Sequence, residues 1–399
     1  MKRSLINRKL GKVERLLDKA IEAAEIPGAV VLARMPREGE LLEYAWVRGV
    51  SAVRPERIPM VRDTIFDLAS LTKNIATTTA IMWLVHDGRI ALHDPVAKYL
   101  PAFAEREKEA VTIRHLLTHS AGLKPWRGFH EDLIARERKT GERLLGTPEG
   151  RAWIVDRVLR SARVHEPGEA AVYGDLDFIT LGALVEAVAG QPLDAFCQQR
   201  VFEPLGMKDT RFFPVAVDGA DSPALALALR RRIAATENCP WRERILWGEV
   251  HDPNAYAMGG VAGHAGLFGT ADDVLRFAQA FLDSWHGRSE LLPPALVRQF
   301  SERQRMPEES DWALGWDTPT PGTSSSGKHF GERSVGHLGF TGTSVWIDLE
   351  REAIVVMLAN RVHLVAKRSK FTLRPKVHDA ILEGFTAGLE PSEVEASAE

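Results

Sequence analysis

Residues 66–73 read Phe-Asp-Leu-Ala-Ser-Leu-Thr-Lys, which places the pattern Ser-x-x-Lys at Ser70 and Lys73. Apolar residues at helical spacing follow as far as His86, so the sequence predicts a helix over residues 70–86. Residues three apart share one face of a helix, which brings the Ser70 hydroxyl to the Lys73 amine. A helix start also offers free backbone N–H groups to a developing oxyanion. Ser70 is therefore a candidate nucleophile, with Lys73 as its base if the pKa of the amine is lowered.

The Ser-x-x-Lys pattern is weak evidence by itself, because a chain of this length should contain about one by chance. A second copy does occur at residues 325–328, inside a stretch rich in Pro, Gly, Ser and Thr that is typical of a loop. Nothing there fixes the geometry, so we expect no catalytic role for Ser325. The alternative for Ser70 is a helix cap followed by a surface lysine.

Two later groups could complete a site. Tyr173 precedes Gly174, Asp175 and an apolar helix. A phenol whose pKa is lowered by a nearby lysine can act as a general base, although a loop tyrosine followed by an N-cap at Asp175 is the alternative. Residues 337–340 read His-Leu-Gly-Phe and open a predicted strand, where Gly339 would allow close approach of a substrate. The alternative there is a Gly-rich turn ahead of a hairpin.

The order Ser-x-x-Lys, Tyr-x-Asp, His-x-Gly resembles the serine penicillin-binding protein and class C β-lactamase superfamily, in particular its esterase-like branch. The resemblance covers roughly residues 10–389 and extends to stretches between the motifs. These are Arg-His-Leu-Leu-Thr-His-Ser-Ala-Gly-Leu at residues 114–123, Phe-Glu-Pro-Leu-Gly-Met at residues 202–207, and the glycines from Gly259-Gly260 to Gly266-Leu267-Phe268.

The resemblance implies an α+β fold of the β-lactamase/transpeptidase type. An antiparallel sheet flanked by terminal helices would be built from both ends of the chain, with an all-helical lobe inserted. We expect residues 1–72 and 265–389 in the α/β lobe and residues 73–264 in the helical lobe. The acidic stretch 390–399 is expected to be a disordered tail.

The resemblance also implies a mechanism. Ser70 would be acylated and then released by water, with proton transfer shared by Lys73 and Tyr173. The backbone N–H groups of Ser70 and Phe340 would form the oxyanion hole. Asp175 and residues 337–339 would bind or support the substrate, His264 would line or brace the cleft, and no cofactor would be needed.

Departures from the family pattern bear on the substrate. His337 and Leu338 stand where β-lactamases and transpeptidases have a lysine and a hydroxyl residue that hold the substrate carboxylate. A neutral histidine has no fixed charge and leucine has no donor. An ionised Asp175 would keep Lys73 protonated, which favours Tyr173 as the base, its pKa lowered by Lys73 and His337.

These departures favour a serine hydrolase of the carboxylesterase kind, acting on small ester or amide substrates. A β-lactamase, or a D-amino-acid or DD-peptidase, is the alternative, and a non-catalytic binding protein of the same fold is a third. A metal hydrolase using His115, His119, His251, Asp252 and His264 lacks a recognised ligand spacing, so no metal is expected. An α/β-hydrolase is disfavoured because the chain has no Gly-x-Ser-x-Gly.

Composition limits the possible partners. The formal net charge is −3 and the pI is about 6.5, which gives no electrostatic basis for binding nucleic acid or an anionic membrane. The first nine residues are strongly charged and have no apolar signal core, so we expect a cytoplasmic protein acting on a small-molecule acyl substrate. The oligomeric state is left open.

Periodicity predicts the remaining elements. Predicted helices lie at residues 10–24, 113–119, 153–162, 177–188, 194–202, 270–283 and 376–389, and predicted strands at residues 29–34, 41–47, 339–348 and 353–360.

Overall fold

The computed structural model describes residues 2–215, 227–289, 292–363 and 371–388. Its helices are α1 (Lys2–Glu22), α2 (Thr79–His86), α3 (Ile113–Leu117), α4 (Phe129–Thr140), α5 (Pro148–Leu159), α6 (Asp175–Ala189), α7 (Leu193–Cys197), α8 (Leu227–Arg232), α9 (Pro253–Ala257), α10 (Ala271–Trp285), α11 (Pro294–Ser301) and α12 (Leu373–Phe385). Turns of π-helix occupy Lys73–Thr78 and Gln198–Phe202, and 3-10 turns occupy Val96–Lys98 and Pro101–Ala104. The predicted tail at residues 390–399 lies outside the described residues.

The strands are β1 (Gly28–Arg37), β2 (Glu40–Ala52), β3 (Ile58–Pro59), β4 (Phe66–Asp67), β5 (Arg211–Phe212), β6 (Asn238–Cys239), β7 (Arg244–Ile245), β8 (Leu267–Gly269), β9 (Ser334–Leu338), β10 (Ser344–Asp348) and β11 (Ala353–Ala359). The main sheet has the order β3-β2-β1-β11-β10-β9, and all its neighbours are antiparallel.

The two ends of the chain meet at the centre of this sheet. Strand β1 pairs with β11, with Val31 opposite Met357. Both strands are apolar along nearly their whole length because both faces of the sheet are covered. Helices α1 and α12 cover one face, and α10 packs on the other. The predicted α+β fold, with a sheet assembled from both termini, is confirmed.

The helical elements between residues 73 and 264 enclose a large core that continues onto the α10 face of the sheet. At its centre, α6 buries ten consecutive residues from Leu176 to Val185. Among the described residues no single helix is both long and apolar enough to cross a bilayer. Helix α6 and the segment Leu193–Phe202 are together long and apolar enough, but the chain bends by 76° between them. The residue limits of the two lobes stay a prediction.

The third motif, at residues 337–340, lies at the end of a strand and not at the start of one as predicted. His337 and Leu338 end strand β9, whereas the sequence predicts that they open a strand running to residue 348. Residues 339–343 form a turn, closed by the N–H of Gly339 donating to the carbonyl of Thr343. The hairpin of β10 and β11 follows as predicted. The alternative of a Gly-rich turn ahead of a hairpin therefore describes residues 339–343 correctly.

Candidate active site

The turn before Ser70 is held in an unusual conformation. Ala69 has φ +48°, a left-handed value that costs an L-residue about 1–2 kcal/mol. The buried Asp67 compensates, because its Oδ1 accepts from the N–H of Ala69 at 2.8 Å and its Oδ2 accepts from the N–H of His251 at 2.7 Å. Asp67 thus fixes the direction in which the chain presents Ser70. No motif in the sequence predicts this role of Asp67.

Lys73 lies one turn beyond Ser70, at the start of the π-helical turn. Its side chain is fully buried. Nζ donates to Oγ of Ser70 at 3.1 Å, to Oδ1 of Asp175 at 2.8 Å and to the carbonyl of His264 at 3.3 Å. Three acceptors around one ammonium leave it little freedom to rotate. The structure therefore brings together the two residues of the first motif and Asp175 of the second.

The pKa of Lys73 is raised above its ordinary value. Burial opposes the charge, but the Asp175 carboxylate and the Tyr173 phenol outweigh burial. Lys73 is consequently an ammonium in the free protein, as expected from an ionised Asp175. It cannot take the Ser70 proton until it has lost its own.

Tyr173 completes this group. Lys73 Nζ lies 5.0 Å from the centre of its ring, and the hydroxyl is near enough to Lys73 and Ser70 for both groups to lower its pKa. The ring stacks on Trp312 at 5.6 Å, and a Cβ on the next residue, Gly174, would lie 2.7 Å from the backbone of Pro125. The second motif therefore needs glycine in order to pass Pro125 closely.

The pKa of Tyr173 differs from the expectation. Burial of the hydroxyl raises it, and the opposing attraction of Lys73 does not bring it below the ordinary value. His337 supplies no positive charge either, because burial and the neighbouring Lys73 lower its pKa to about 3. In the free protein Tyr173 is a neutral phenol and His337 a neutral imidazole.

A buried pair supports Tyr173 from behind. His119 contacts the edge of the Tyr173 ring at 4.8 Å, and its Nδ1 lies 3.0 Å from Oδ2 of Asp177. Burial raises the pKa of Asp177 well above its usual range and lowers the pKa of His119 well below it. The neutral pair, in which the Asp177 acid donates to the imidazole, is thus favoured. From the sequence alone, His119 is considered only as a possible metal ligand.

The third motif reaches Ser70 through the backbone. Thr341 and Thr343 donate from their hydroxyls to the carbonyls of Asp67 at 2.7 Å and Leu68 at 3.1 Å. A Cβ at Gly339 would lie 1.9 Å from the Thr343 hydroxyl, so only glycine fits between the turn and residue 68. Phe340, the next residue of this turn, lines the same cavity as Ser70, and its part in an oxyanion hole stays a prediction.

His337 is buried next to this turn. Its Nδ1 donates to the Leu338 carbonyl at 2.9 Å, which makes Nε2 an acceptor. Its ring packs against Tyr173 at 5.6 Å and Trp312 at 6.0 Å. Leu338 is half-buried and presents an apolar side chain to the cavity.

The cavity above Ser70 has a volume of about 740 Å³. Every residue predicted for the site lines it, apart from the buried Lys73. Lining residues that are not predicted from the sequence include Trp126, Trp241, Trp312 and Arg374. Arg374 donates to the carbonyls of Gly339 at 3.0 Å and Thr343 at 2.8 Å. These four residues lie outside the motifs, and no local pattern marks them.

The histidine and aspartate residues considered as metal ligands do not all lie at one site. His115 caps α3, because its Nδ1 accepts from the N–H of Thr112 at 3.0 Å. Asp175, Asp252 and His264 do come together, with ligand atoms within 4.8 Å of one another. These three could hold a cation, although the ammonium of Lys73 already occupies one oxygen of Asp175.

The second Ser-x-x-Lys copy lies outside the cavity lining. Its serine, Ser325, donates to Oδ2 of Asp317 at 3.0 Å. Asp317 itself lines the cavity, so this hydrogen bond connects the loop to the site.

Chemically, the arrangement can carry out acyl transfer. The Ser70 hydroxyl accepts from Lys73 and lines the same cavity as Tyr173, and an amine and a phenol are groups that can take up and return a serine proton. The individual roles of these residues stay predictions.

The chain is similar to known proteins in its sequence and in its fold. The family model described as Beta-lactamase matches residues 13–377. A protein of Salmonella schwarzengrund (strain CVM19633) named "Putative D-alanyl-D-alanine carboxypeptidase" is 32% identical over 367 residues, covering 88% of this chain and 79% of the relative. The fold is shared with EstCE1, a hydrolase with promiscuous acyltransferase activity (TM-score 0.69, 23% identity, 94% of this chain and 99% of that one). It is also shared with the octameric penicillin-binding protein homologue from Pyrococcus abyssi (TM-score 0.68, 23% identity, 94% and 76%).

Proposed function

This chain belongs to the beta-lactamase family of serine hydrolases, and we propose that it is a carboxylesterase that cleaves small esters through an acyl-Ser70 intermediate. The observation that carries the proposal is the cavity wall beside Ser70. Leu338 is apolar and His337 is neutral at the positions where a carboxylate-binding family member would offer a hydroxyl and a lysine. A wall without these groups favours substrates that have no carboxylate next to the reacting bond.

The proposed reaction has two halves. Ser70 Oγ attacks the ester carbonyl while its proton passes through Tyr173 and Lys73 to the departing alkoxide. Water then attacks the acyl-enzyme, and Ser70 regains a proton. The N–H groups of Ser70 and Phe340 stabilise both oxyanions, and losing one such donor typically costs about 10²–10³ in turnover. An ester needs less assistance than an amide because an alkoxide leaves more readily.

The test compares kcat/KM for p-nitrophenyl butyrate, a D-aminoacyl anilide and nitrocefin on one preparation. We expect the ester to be turned over most efficiently. Nitrocefin hydrolysis that equals or exceeds ester hydrolysis would favour a β-lactamase instead. Failure of a fluorophosphonate to label Ser70, together with no turnover of any substrate, would favour a binding protein.

A second candidate is a carboxypeptidase acting on D-alanyl peptides. Arg374 lines the cavity next to Gly339 and offers a cation that the sequence did not reveal. The Salmonella relative is named as a putative enzyme of that kind. Burial and Arg361 lower the pKa of Arg374 to about 9, so the guanidinium remains charged near neutral pH. Release of D-alanine from a D-alanyl-D-alanine peptide faster than ester cleavage would favour this candidate.

A further inference from the structure

The exposed aromatic side chains are gathered at one place on the surface. Among the described residues, four phenylalanine, tyrosine and tryptophan side chains are exposed, by 37–51%, and the others are at least partly buried. The four are Trp126, Tyr173, Trp241 and Phe340, and all of them line the cavity above Ser70. An exposed ring lacks the stabilisation that burial would give it, and contiguous exposed apolar surface often marks a ligand-binding groove. The clustering therefore indicates a ligand that covers these rings.

The cavity is much larger than a short acyl chain needs. A cavity of about 150 Å³ is enough to hold a benzene molecule. The volume above Ser70 is about 740 Å³. An acetyl or butyryl group would leave most of the exposed rings uncovered, so we expect the substrate to carry a group at least as large as one ring.

Ring contacts divide the aromatic side chains of the cavity into two groups. The first surrounds Tyr173, whose ring lies 5.6 Å from Trp312, 4.8 Å from His119 and 5.6 Å from His337. In the proposed reaction, Tyr173 and Lys73 return the proton to the departing alcohol, so the alcohol faces this group. The acyl group is then left with the remainder of the cavity.

The second group is built on His130, a buried residue in the first turn of α4. Its ring lies 6.4 Å from that of Trp126 and 5.5 Å from that of Trp241. The backbone N–H of His130 donates to Oδ1 of Asn254 at 3.1 Å, which fixes its position. Trp241 is held further by Arg242, whose guanidinium lies 4.7 Å from the ring centre. The two indoles are therefore positioned before a ligand binds, which lowers the entropic cost of binding.

Phe340 connects this second group to the reacting serine. Arg242 donates to the carbonyl of His251 at 3.1 Å, and the ring of His251 stacks on Phe340 at 5.4 Å. The N–H of His251 donates to Asp67, which fixes the turn before Ser70. Because the N–H of Phe340 is the second proposed oxyanion donor, a carbonyl bound there lies next to the Phe340 ring. The acyl group of that carbonyl can therefore reach this ring.

We propose that Trp126, Trp241 and Phe340 bind an aromatic ring in the acyl group of the substrate, so that the preferred substrates are esters of arylalkanoic acids. This inference rests on the proposed esterase function and specifies its acyl group. Ser70 Oγ attacks the ester carbonyl and forms the acyl-Ser70 bond, while the bond to the alcohol oxygen breaks and the Ser70 proton leaves with the alcohol. Water then cleaves the acyl-Ser70 bond, which releases the arylalkanoic acid and returns a proton to Ser70.

The test compares the ethyl esters of 3-phenylpropionic, 3-cyclohexylpropionic and butyric acid, each rate being corrected for the alkaline hydrolysis of that ester. We expect kcat/KM for the phenylpropionate to exceed that for the butyrate by about 10–100-fold, the usual effect of burying an apolar group of phenyl size. It should exceed that for the cyclohexylpropionate by about 3–10-fold, the typical effect of a ring pair, although cyclohexyl is the more hydrophobic group. Phenylpropyl and cyclohexylpropyl acetate carry the same rings on the alcohol and should show no such preference.

The variants Trp126→Leu and Trp241→Leu each replace one indole by an apolar side chain without a ring. We expect each to reduce the ratio of kcat/KM for the phenylpropionate to that for the cyclohexylpropionate by about threefold or more. The matched control is Trp153→Leu, at a tryptophan on α5 that contacts Arg157 outside the cavity lining. It should leave that ratio unchanged.

The outcomes are distinguishable. If the unmodified protein cleaves the butyrate or the cyclohexylpropionate as well as the phenylpropionate, the aromatic inference is wrong and the esterase function stands. If the preference follows the ring on the alcohol instead, the assignment to the acyl group is wrong. If the protein cleaves none of the esters, the esterase function is wrong and the inference fails with it.

The same rings would also be covered in an oligomer. An oligomer in sedimentation velocity that dissociates on Trp126→Leu would show that a second copy of the chain covers them, which overturns the inference. The comparison of esters on the unmodified protein needs no variant, so a misfolded variant would not prevent a decision.

Discussion

Lys73 and Asp175 form a buried ion pair, with 2.8 Å between Nζ and Oδ1, directly next to the serine that Lys73 also contacts. This pair keeps the ammonium charged. Burial raises the pKa of the neighbouring Tyr173, Lys73 opposes that rise, and the negative charge of Asp175 adds a smaller contribution to it. In the free protein, Lys73 and Tyr173 are therefore both protonated. One of the two residues must lose its proton before Ser70 can be activated.

The pH dependence of kcat/KM follows from this arrangement. The active form is deprotonated at Tyr173 or Lys73, and both pKa values are raised. We therefore expect kcat/KM to increase with pH on the alkaline side of neutrality. Asp175→Asn removes a contribution that raises both pKa values, so the rising limb should move to lower pH, by about 1–3 units if the full effect of an adjacent charge is lost.

The measurement is a pH profile of kcat/KM for the ester with each variant. Asp94→Asn is the control, because Asp94 pairs with Lys98 outside the cavity lining. A limb that stays in place or moves to higher pH in Asp175→Asn would contradict the assigned role of the ion pair.

The identity of the base can be tested at Tyr173. Tyr173→Phe removes the hydroxyl but keeps the ring that stacks on Trp312. If Tyr173 carries the proton, kcat should decrease by about 10²–10⁴ and KM should change much less. Tyr99→Phe is the matched control, since the Tyr99 hydroxyl donates to Asp94 outside the cavity lining. Near-normal kcat with an unchanged rising limb would assign the base to Lys73 alone.

The nucleophile is tested by Ser70→Ala. We expect loss of fluorophosphonate labelling and a decrease in turnover of at least about 10³, since the covalent route is removed. The variant should remain folded, because loss of a hydroxyl at a helix start costs about 1 kcal/mol. Ser325→Ala, in the second Ser-x-x-Lys copy, should keep both labelling and turnover. Labelling that depends on Ser325 and not on Ser70 would show that the nucleophile belongs to the second copy.

Much of this arrangement follows from short-range patterns in the sequence. The spacing of Ser70 and Lys73 places both on one helical face, and the apolar run at residues 353–360 predicts the strand β11. The order of three motifs, each weak alone, resembles one superfamily, and the α+β fold that this resemblance implies is the one observed. Local spacing is enough for the Ser70–Lys73 pair and for strand β11, because the residues that define each lie close together in the sequence.

Other features depend on contacts between distant parts of the chain. Strand β9 is not predicted because Gly336 interrupts its apolar pattern, yet a Cβ there would lie 2.2 Å from the ring of Trp346, so only glycine fits. The direction of the Tyr173 pKa shift could not be predicted either, since it depends on how deeply the hydroxyl is buried. Arg374 reaches the cavity from α12, and its position follows only from the packing of α12 on the sheet.

Arg374 is also expected to stabilise the fold. Its guanidinium is buried and donates to two backbone carbonyls of the turn that presents Phe340. Arg374→Met would leave both acceptors without this donor, so we expect the free energy of unfolding to decrease by about 2–4 kcal/mol. Denaturant unfolding gives the value. Arg48→Met, at an exposed arginine with only a 3.6 Å contact to Asp18, should change it by less than about 1 kcal/mol. Equal effects of the two substitutions would contradict a structural role for Arg374.

Substrate class should respond to the side chain at Leu338. Leu338→Thr places a hydroxyl on the cavity wall where carboxylate-binding family members have one, next to a turn that already contacts Arg374. We expect kcat/KM for nitrocefin to increase by about tenfold, the typical effect of one hydrogen bond to a charged group, while ester cleavage increases less. Leu338→Val is the matched control, because valine has nearly the shape of threonine without its hydroxyl. If both variants raise nitrocefin turnover equally, the added space is responsible and the hydroxyl is not. If neither raises it, the preference for esters has its origin elsewhere in the cavity, and the apolar wall at Leu338 does not determine it.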